Sequence, residues 1–443
     1  MTAFPRWHSG LAEGQTRDGN GNLLLGGISA DRLVQIYGTP LLAIDLAVVD
    51  AAIEQLLRCA TGLKLEIAYA AKAFATVEFV RHLAARSIGL DVCSLGELVT
   101  AERAGFPAQR LTLHGAGKTE QELRAACGGR IGYIVVDGIE ELEALARLSR
   151  DASCAQVILR LNVGIEAQTH AFVRTGGDDT KFGIPARDEP VAIAILRDNP
   201  QLRFAGLHAH LGSQIRQPAA YVENAAALLD SAERFERAGF RVERVVIGGG
   251  FRVETQPQED GSLDVVATIG DVAAYVLQRV RERNLSVTRL GVEPGRAIVA
   301  LAGTSLYRVL AVKRQSRRTF VVVDGGIAEN PRPALYGARH HVIPAAAGRD
   351  SEEEMTLCGR SCENDELAIV RLPRSVCRGE LLAMCATGAY TYSMAGNYNR
   401  FPRPAVVGIA EGTHRLLARR ESLDDVLRRD AVGNASGEAG TAF

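Results

Sequence analysis

Short β-rich runs alternate with longer amphipathic stretches through the first two thirds of the chain. The runs are Leu41 to Asp45, Leu65 to Ala70, Gly89 to Val92, Leu111 to His114, Tyr133 to Val136, Val157 to Leu161, Phe204 to His210, Val242 to Ile247 and Arg289 to Val292. Between them, segments such as Val77 to Arg86 and Ala219 to Arg237 place apolar residues three and four apart, the spacing of an amphipathic helix. About eight strand–helix units suit a (β/α)8 barrel better than two mononucleotide-binding halves. After Gly303 the rhythm changes to strand-like runs with turns between, such as Leu306 to Val312, Thr319 to Val323, Ala368 to Leu372 and Ala405 to Ile409. These predict a second domain, a β-sandwich or β-barrel.

The expected division is a leader over 1–38 that packs on the β domain, a barrel over 39–302, the β domain over 303–432 and a Gly-, Ala- and Ser-rich tail over 433–443 that frays. The leader holds a turn signal, Asp18-Gly19-Asn20-Gly21-Asn22.

Composition narrows the class. The 443 residues are 47% hydrophobic and carry 51 basic against 52 acidic side chains, enough to bury a substantial core with almost no net charge. Without a Lys/Arg-rich block, a nucleic-acid or anionic-membrane partner loses its electrostatic footprint, and small-molecule chemistry is the better expectation. Met1 to Gly10 lacks an apolar signal core and no uncharged run is long enough to span a bilayer, so a cytoplasmic location is expected. Eight cysteines, Cys59, Cys93, Cys127, Cys154, Cys358, Cys362, Cys377 and Cys385, form no Cys-x-x-Cys pair, and neither disulfides nor a metal site are expected.

Six segments carry candidate chemistry. Lys72 follows the run Leu65 to Ala70, at the mouth of an apolar barrel, where loss of water favours the uncharged amine that imine formation needs. His208 and His210 lie two apart, on one face of a strand, where one could stack on a ring; Gly212 and Ser213 follow with an amide and a hydroxyl suited to phosphate. Gly248-Gly249-Gly250 closes a strand-like run without the spacing of a dinucleotide or nucleoside triphosphate loop, and lets backbone N–H groups approach an anion. Glu293-Pro294-Gly295-Arg296 holds a carboxylate and a guanidinium on one rigid turn, the first suited to a pyridine nitrogen, the second to phosphate or a substrate carboxylate. Arg332 and Tyr336 share a helix face and could clamp a carboxylate, while Cys362 offers a proton, Glu363 an ammonium site, and Gly388-Ala389-Tyr390 completes the set. Each segment alone also has an ordinary reading: a solvated lysine, a polar pair at a strand end, a tight turn, a salt bridge, a buried thiol beside an exposed carboxylate. Together they fit pyridoxal 5'-phosphate.

With Asp91 to Leu98, Thr180 to Ile184, Arg332 to Gly337 and Ser393 to Asn399 added, the chain resembles, over nearly its whole length, the diaminopimelate decarboxylases. These belong to the fold-type III pyridoxal phosphate enzymes, with ornithine decarboxylases and, more distantly, alanine racemases. The resemblance implies an alanine racemase-like barrel plus β domain, and decarboxylation of meso-2,6-diaminopimelate to L-lysine and carbon dioxide. It implies that Lys72 carries the cofactor, His210 stacks on its ring and Glu293 partners its ring nitrogen. Ser213, Gly249, Gly250, Pro294, Gly295, Arg296 and Tyr390 would hold the rest of it. Arg296, Arg332, Tyr336, Glu363 and Tyr390 would hold the substrate, and Cys362 would donate a proton. In the family the Cys362–Glu363 segment serves the other subunit's site, so a homodimer with shared sites is implied. The usual Cys-Glu-Ser-x-Asp reads here Cys362-Glu363-Asn364-Asp365-Glu366, a departure that bears on substrate choice. Alternatives are a related decarboxylase acting on another, or a carrier-bound, amino acid and a non-catalytic homologue; the presence of Lys72 and Cys362 weighs against the second, and of Arg332 and Tyr336 against ornithine or free lysine as substrate.

Overall fold

Eight parallel strands close on themselves by backbone hydrogen bonds in a computed structural model that describes residues 4–59, 62–150, 154–165, 180–257, 263–347 and 350–431. In chain order they are Lys64–Ala70, Gly89–Val92, Leu111–Leu113, Tyr133–Val136, Gln156–Asn162, Phe204–His208, Arg244–Val246 and Arg289–Val292, the last pairing with the first through Val292 and Ile67. Their buried faces belong to the largest core of the molecule, shared with an outer ring of helices. Each helix turns an apolar stripe inward: in Val77–Ala84, Phe79, Val80 and Leu83 are buried, and the Thr76 hydroxyl caps the start by accepting from the Phe79 N–H at 3.2 Å. Thr119 and Glu122 form a capping box on Glu120–Cys127. The barrel expected from the strand–helix rhythm is therefore present.

One run goes elsewhere. Leu41–Asp45, read as the first of the repeating units, stands in the second sheet, antiparallel to Gly303–Arg314 and parallel to Ala405–Ala410. All five of its residues are buried, so its apolar pattern is the same as that of a barrel strand, and only long-range pairing tells them apart. The expected barrel boundary at residue 39 thus precedes a strand of the other sheet, and helix Leu46–Leu57 leads from there into the barrel.

That second sheet is mixed. Its strands run in the order Glu366–Pro373, Glu352–Cys358, Thr319–Val323, Gly303–Arg314, Leu41–Asp45, Ala405–Ala410, Thr413–Ala418, with Leu381–Cys385 and Val342–Pro344 added beside Gly303–Arg314. It encloses its own core of Tyr307, Val309, Val321, Val323, Met355, Leu357 and Leu382 among others. The leader packs on it: Gln15 donates to Thr304 Oγ1 at 2.8 Å and the Leu23 N–H donates to the Ala345 carbonyl at 2.7 Å. The Asp18 side chain accepts from the N–H groups of Asn20 and Asn22 in the expected turn. The tail over 433–443 lies outside the described residues. Among the described residues no helix is long and apolar enough to cross a membrane.

The two sheets meet where backbone passes against backbone. A Cβ at Gly388 would lie 1.8 Å from the Val299 carbonyl oxygen, and one at Gly303 2.1 Å from the Gly388 nitrogen. Gly388→Ala should therefore part the junction and cost about 1–3 kcal/mol, as overpacking does, seen as a lower thermal unfolding midpoint. Gly396→Ala, with nothing within 4 Å of the added carbon, is the control and should match the wild type. Equal midpoints for the two variants would mean that the junction yields without strain.

Candidate active site

At the C-terminal end of the barrel, Lys72, Asp91, His114, Arg160, Phe182, His208, His210, Ser213, Gly250, Glu293 to Arg296 and Tyr390 line one cavity of about 210 Å³. This is the end at which barrel strands present reactive side chains. Lys72 sits in a single 3-10 turn, Ala71–Ala73, immediately after the strand Lys64–Ala70. Its neighbours Ala71 and Ala73 are buried and anchor the turn, whereas Lys72 itself is exposed, so the single chain does not give it the desolvation expected from sequence. A loop of the second domain straps the turn: the Tyr390 N–H donates to the Ala73 carbonyl at 2.7 Å, and the Ser393 hydroxyl reaches the carbonyls of Lys72 and Ala73, both at 3.0 Å.

The glycine run divides its duties. Gly248 and Gly250 adopt φ of 74° and 84°, and a Cβ on Gly250 would meet the Gly212 carbonyl oxygen at 2.0 Å, so only glycine fits. Gly249 is not on the cavity wall. Its N–H donates to His210 Nδ1 at 3.1 Å, and a Cβ there would meet the Glu293 carbonyl oxygen at 2.1 Å. Gly249 thereby orients His210. Helix Pro218–Arg237 supports the run from behind, Tyr221 and Asn224 donating to the carbonyls of Gly249 and Ile247 at 3.2 and 3.1 Å. His210 lies just past the strand Phe204–His208, not on it.

Charge is separated along the cavity. At its inner end Glu293 accepts from His208 Nε2 at 3.1 Å and lies 3.4 Å from His114 Nε2. Burial alone would raise the Glu293 pKa, but His208 and His114 outweigh it and hold the carboxyl below the ordinary carboxylate range. Burial and the charge of Glu293 push Asp91 well above that range, so Glu293 is the ionised member of the pair. Burial lowers His210 well below the usual imidazole value and His114 to about 4, leaving the rings neutral.

At the other end lie Arg296 and Arg332. Arg296 is buried, touches Ser213 Oγ at 3.4 Å and lies 4.7 Å over the Tyr390 ring; Arg332 comes within 5.4 Å of the same ring and 5.2 Å of Tyr336. Burial, and then the charge of Arg296, bring the Arg332 pKa down to about 10. Arg296 Nε has no hydrogen-bond partner, and among the described residues no carboxylate comes within ion-pair distance of either guanidinium. One buried and one half-buried cation without counter-ions among the described residues, an exposed amine and one largely buried anion suit a flat heteroaromatic aldehyde with an anionic group at one end and a protonated ring nitrogen at the other.

Besides Gly249, four of the expected residues lie off the cavity wall. Arg332 and Tyr336, on the helix Arg332–Tyr336 of the second domain, stand beside Tyr390 at its edge, whereas Cys362 and Glu363 are exposed elsewhere on the β domain, with the Cys362 N–H held by Asn399 and Glu363 by Tyr398. Glu366 pairs with Arg318 within its sheet. The sequence reading gave no role to Asp91, His114, Arg160 and Phe182, and named His208 only as one of a pair that could stack on a ring; all five line the cavity. Their signal was position: Asp91, His114 and His208 stand at or just past the C-terminal ends of strand-like runs.

A family model described as the pyridoxal-dependent decarboxylase, pyridoxal binding domain, matches residues 47–300. The diaminopimelate decarboxylase of Actinosynnema pretiosum subsp. auranticum is 42% identical over 435 residues, covering 97% of each chain. The crystal structure of diaminopimelate decarboxylase from M. jannaschii superimposes with a TM-score of 0.87 at 27% identity, covering 95% of this chain and 98% of that one. That of the Helicobacter pylori enzyme complexed with L-lysine superimposes with a TM-score of 0.82 at 28% identity, over 90% and 98%. The chain belongs to the pyridoxal-dependent decarboxylases and, within them, to the diaminopimelate decarboxylases.

Proposed function

We infer that the protein is a cytoplasmic, pyridoxal phosphate-dependent enzyme that decarboxylates meso-2,6-diaminopimelate to L-lysine and carbon dioxide. The observation that carries the substrate reading is the pair of guanidiniums, Arg296 buried and Arg332 half-buried, stacked on one tyrosine with no acidic partner among the described residues. One cation suffices for the cofactor's phosphate, and the second suits a distal carboxylate, which ornithine and lysine lack.

The cavity fits the cofactor on its own chemistry. Gly250, Gly295, Ser213 and Arg296 would hold the phosphate, Pro294 would shape the wall beside it, and the Gly249 N–H fixes the His210 ring that would lie against the cofactor. Glu293, ionised, would accept from a protonated ring nitrogen. Pyridoxal phosphate, when bound, supplies an electron-withdrawing ring that takes up the electron pair left at Cα when the carboxylate departs. Lys72 offers the amine that holds the cofactor and yields it to the substrate amine. Arg332 and Tyr336 would hold the distal carboxylate, with Tyr390 between cofactor and substrate, and Glu363 the distal ammonium. Cys362 would return a proton to Cα.

Cys362 and Glu363 are exposed in their own chain and away from the cavity that holds Lys72. This supports a homodimer in which each chain lends these two residues to its partner's site.

Carbon dioxide release by the cofactor-loaded protein, measured with meso-diaminopimelate beside ornithine, lysine, arginine and glutamate, should favour diaminopimelate strongly and yield lysine in equal amount. Turnover of another amino acid alone would overturn the substrate reading and point to Asn364 beside the thiol. Arg332→Ala should lower kcat/KM for diaminopimelate roughly tenfold to a hundredfold, the loss of a charge-assisted contact, while the absorption of the bound cofactor stays as in the wild type. An unchanged kcat/KM would make Arg332 structural. Lys72→Ala and Cys362→Ala should each be inactive alone, and equal mixing with subunit exchange should restore roughly a quarter of wild-type activity, since half the dimers then carry one intact site. No recovery despite exchange, followed by light scattering and mass-tagged subunits, would place Cys362 in its own chain's site.

A further inference from the structure

His208 and His114 close on the Glu293 carboxylate from its two sides. His208 ends the strand Phe204–His208 with its side chain buried and its Nε2 3.1 Å from Glu293 Oε2. Its Nδ1 has no hydrogen-bond partner, so the ring's one N–H sits on Nε2 and donates to the carboxylate. His114 lies edge-on to that ring, centroids 5.3 Å apart. Its Nε2 stands 3.4 Å from the other oxygen, Glu293 Oε1, and 3.5 Å from Asp91 Oδ1.

A buried carboxylate is costly unless donors hold it. Here the one donor, His208 Nε2, is uncharged, and His114 Nε2 stands close by without a hydrogen-bond partner. Burial lowers the pKa of both imidazoles, outweighing the pull of Glu293, and burial with the neighbouring charge keeps Asp91 protonated. An imidazolium in either place would cancel the Glu293 charge within the cluster. A neutral N–H fixes the carboxylate's direction and leaves its charge for whatever stands on the cavity side. Of the cations near this cluster, Arg160 is paired with Asp137 at 3.2 Å and Lys118 with Glu141 at 2.7 Å, while Lys72 stands on the cavity side.

We propose that His208, with His114 packed behind it, is a positioning residue for the reaction: it fixes the Glu293 carboxylate as an uncancelled anion toward the ring nitrogen of the cofactor and so sets how strongly that ring withdraws electrons. The proposal rests on the reading of the cavity as a pyridoxal phosphate site. His208 touches neither substrate nor reacting atoms; it acts through Glu293.

The experiment reconstitutes wild type, His208→Gln, His208→Leu, Glu293→Gln and the double variant with pyridoxal phosphate labelled with 15N in its ring, and reads the ring-nitrogen chemical shift and the kinetic constants. His208→Gln, whose amide reaches the position of Nε2, should keep the shift of a protonated ring nitrogen and most of kcat. His208→Leu should move the shift toward the unprotonated value and lower kcat by about tenfold or more with KM nearly unchanged. In the Glu293→Gln background the same substitution should add little, because its effect runs through that carboxylate. His208→Asn, too short to reach Glu293, should follow the leucine variant and serves if that one fails to fold. A wild-type shift and kcat in both short variants, or an equal loss in the Glu293→Gln background, would overturn the proposal. Failure of the wild type to take up the cofactor would overturn the reading of the cavity, and the proposal with it.

Discussion

The hydrogen bond from the Tyr390 N–H to the Ala73 carbonyl joins the second domain to the turn that carries Lys72, and the site is built around it. Tyr390 adopts a φ of 62°, which turns its side chain back toward the barrel, and the crowded backbone at Gly388 and Val299 leaves that loop no other course. The Tyr390 ring then lies against Arg296, which comes from the barrel, and Arg332, which comes from the β domain. The cationic end of the cavity thus exists only when the two domains are docked. The amine belongs to the barrel alone, and the recognition of anions to the junction.

The inner end obeys a different constraint. With few waters to screen it, a buried charge is felt strongly, and an ionised Glu293 facing two guanidiniums across one cavity forms a fixed field into which a polar ligand fits in one direction. Neutral imidazoles keep that field from collapsing. Asp91 and Glu293 also line a second cavity, which extends to Glu66, Arg244 and Arg289 at the N-terminal ends of the strands. There the carboxylate of Glu66 is matched by both arginines at 2.6 Å, so charge at that end is satisfied within the chain. At the C-terminal end, among the described residues, Arg296 and Arg332 have no carboxylate partner.

The barrel was legible because its strands and helices differ in period, and because each strand's apolar run is short and bounded. Leu41–Asp45 was misplaced because a strand buried on both sides carries no mark of which sheet it joins. Glu352–Cys358 went unread because it opens with three glutamates, none of them buried, so apolar alternation is weak over its first half. In the site, Lys72, Ser213, Gly250, Glu293, Arg296 and Tyr390 were legible as motifs and do meet at one cavity. His114 escaped notice, and the contact of His208 with Glu293 was not foreseen, because both depend on distances across the barrel, between residues far apart in the chain. The contact of the Gly249 N–H with His210 was not legible for the same reason: a glycine announces freedom of backbone, not the direction of its N–H.

Placing Leu41–Asp45 between Gly303–Arg314 and Ala405–Ala410 also dictates the order of assembly. The strand leaves the ribosome before any barrel strand, yet both of its neighbours are made only after the barrel is complete. Its backbone groups stay unpaired, and the closure it awaits spans the whole barrel, the kind of distant pairing that slows folding most. The barrel can form while the chain is still being made; the second sheet, and with it the strap over Lys72, cannot. A nascent chain released early would hold Lys72 without the arginine and tyrosine contacts of the junction.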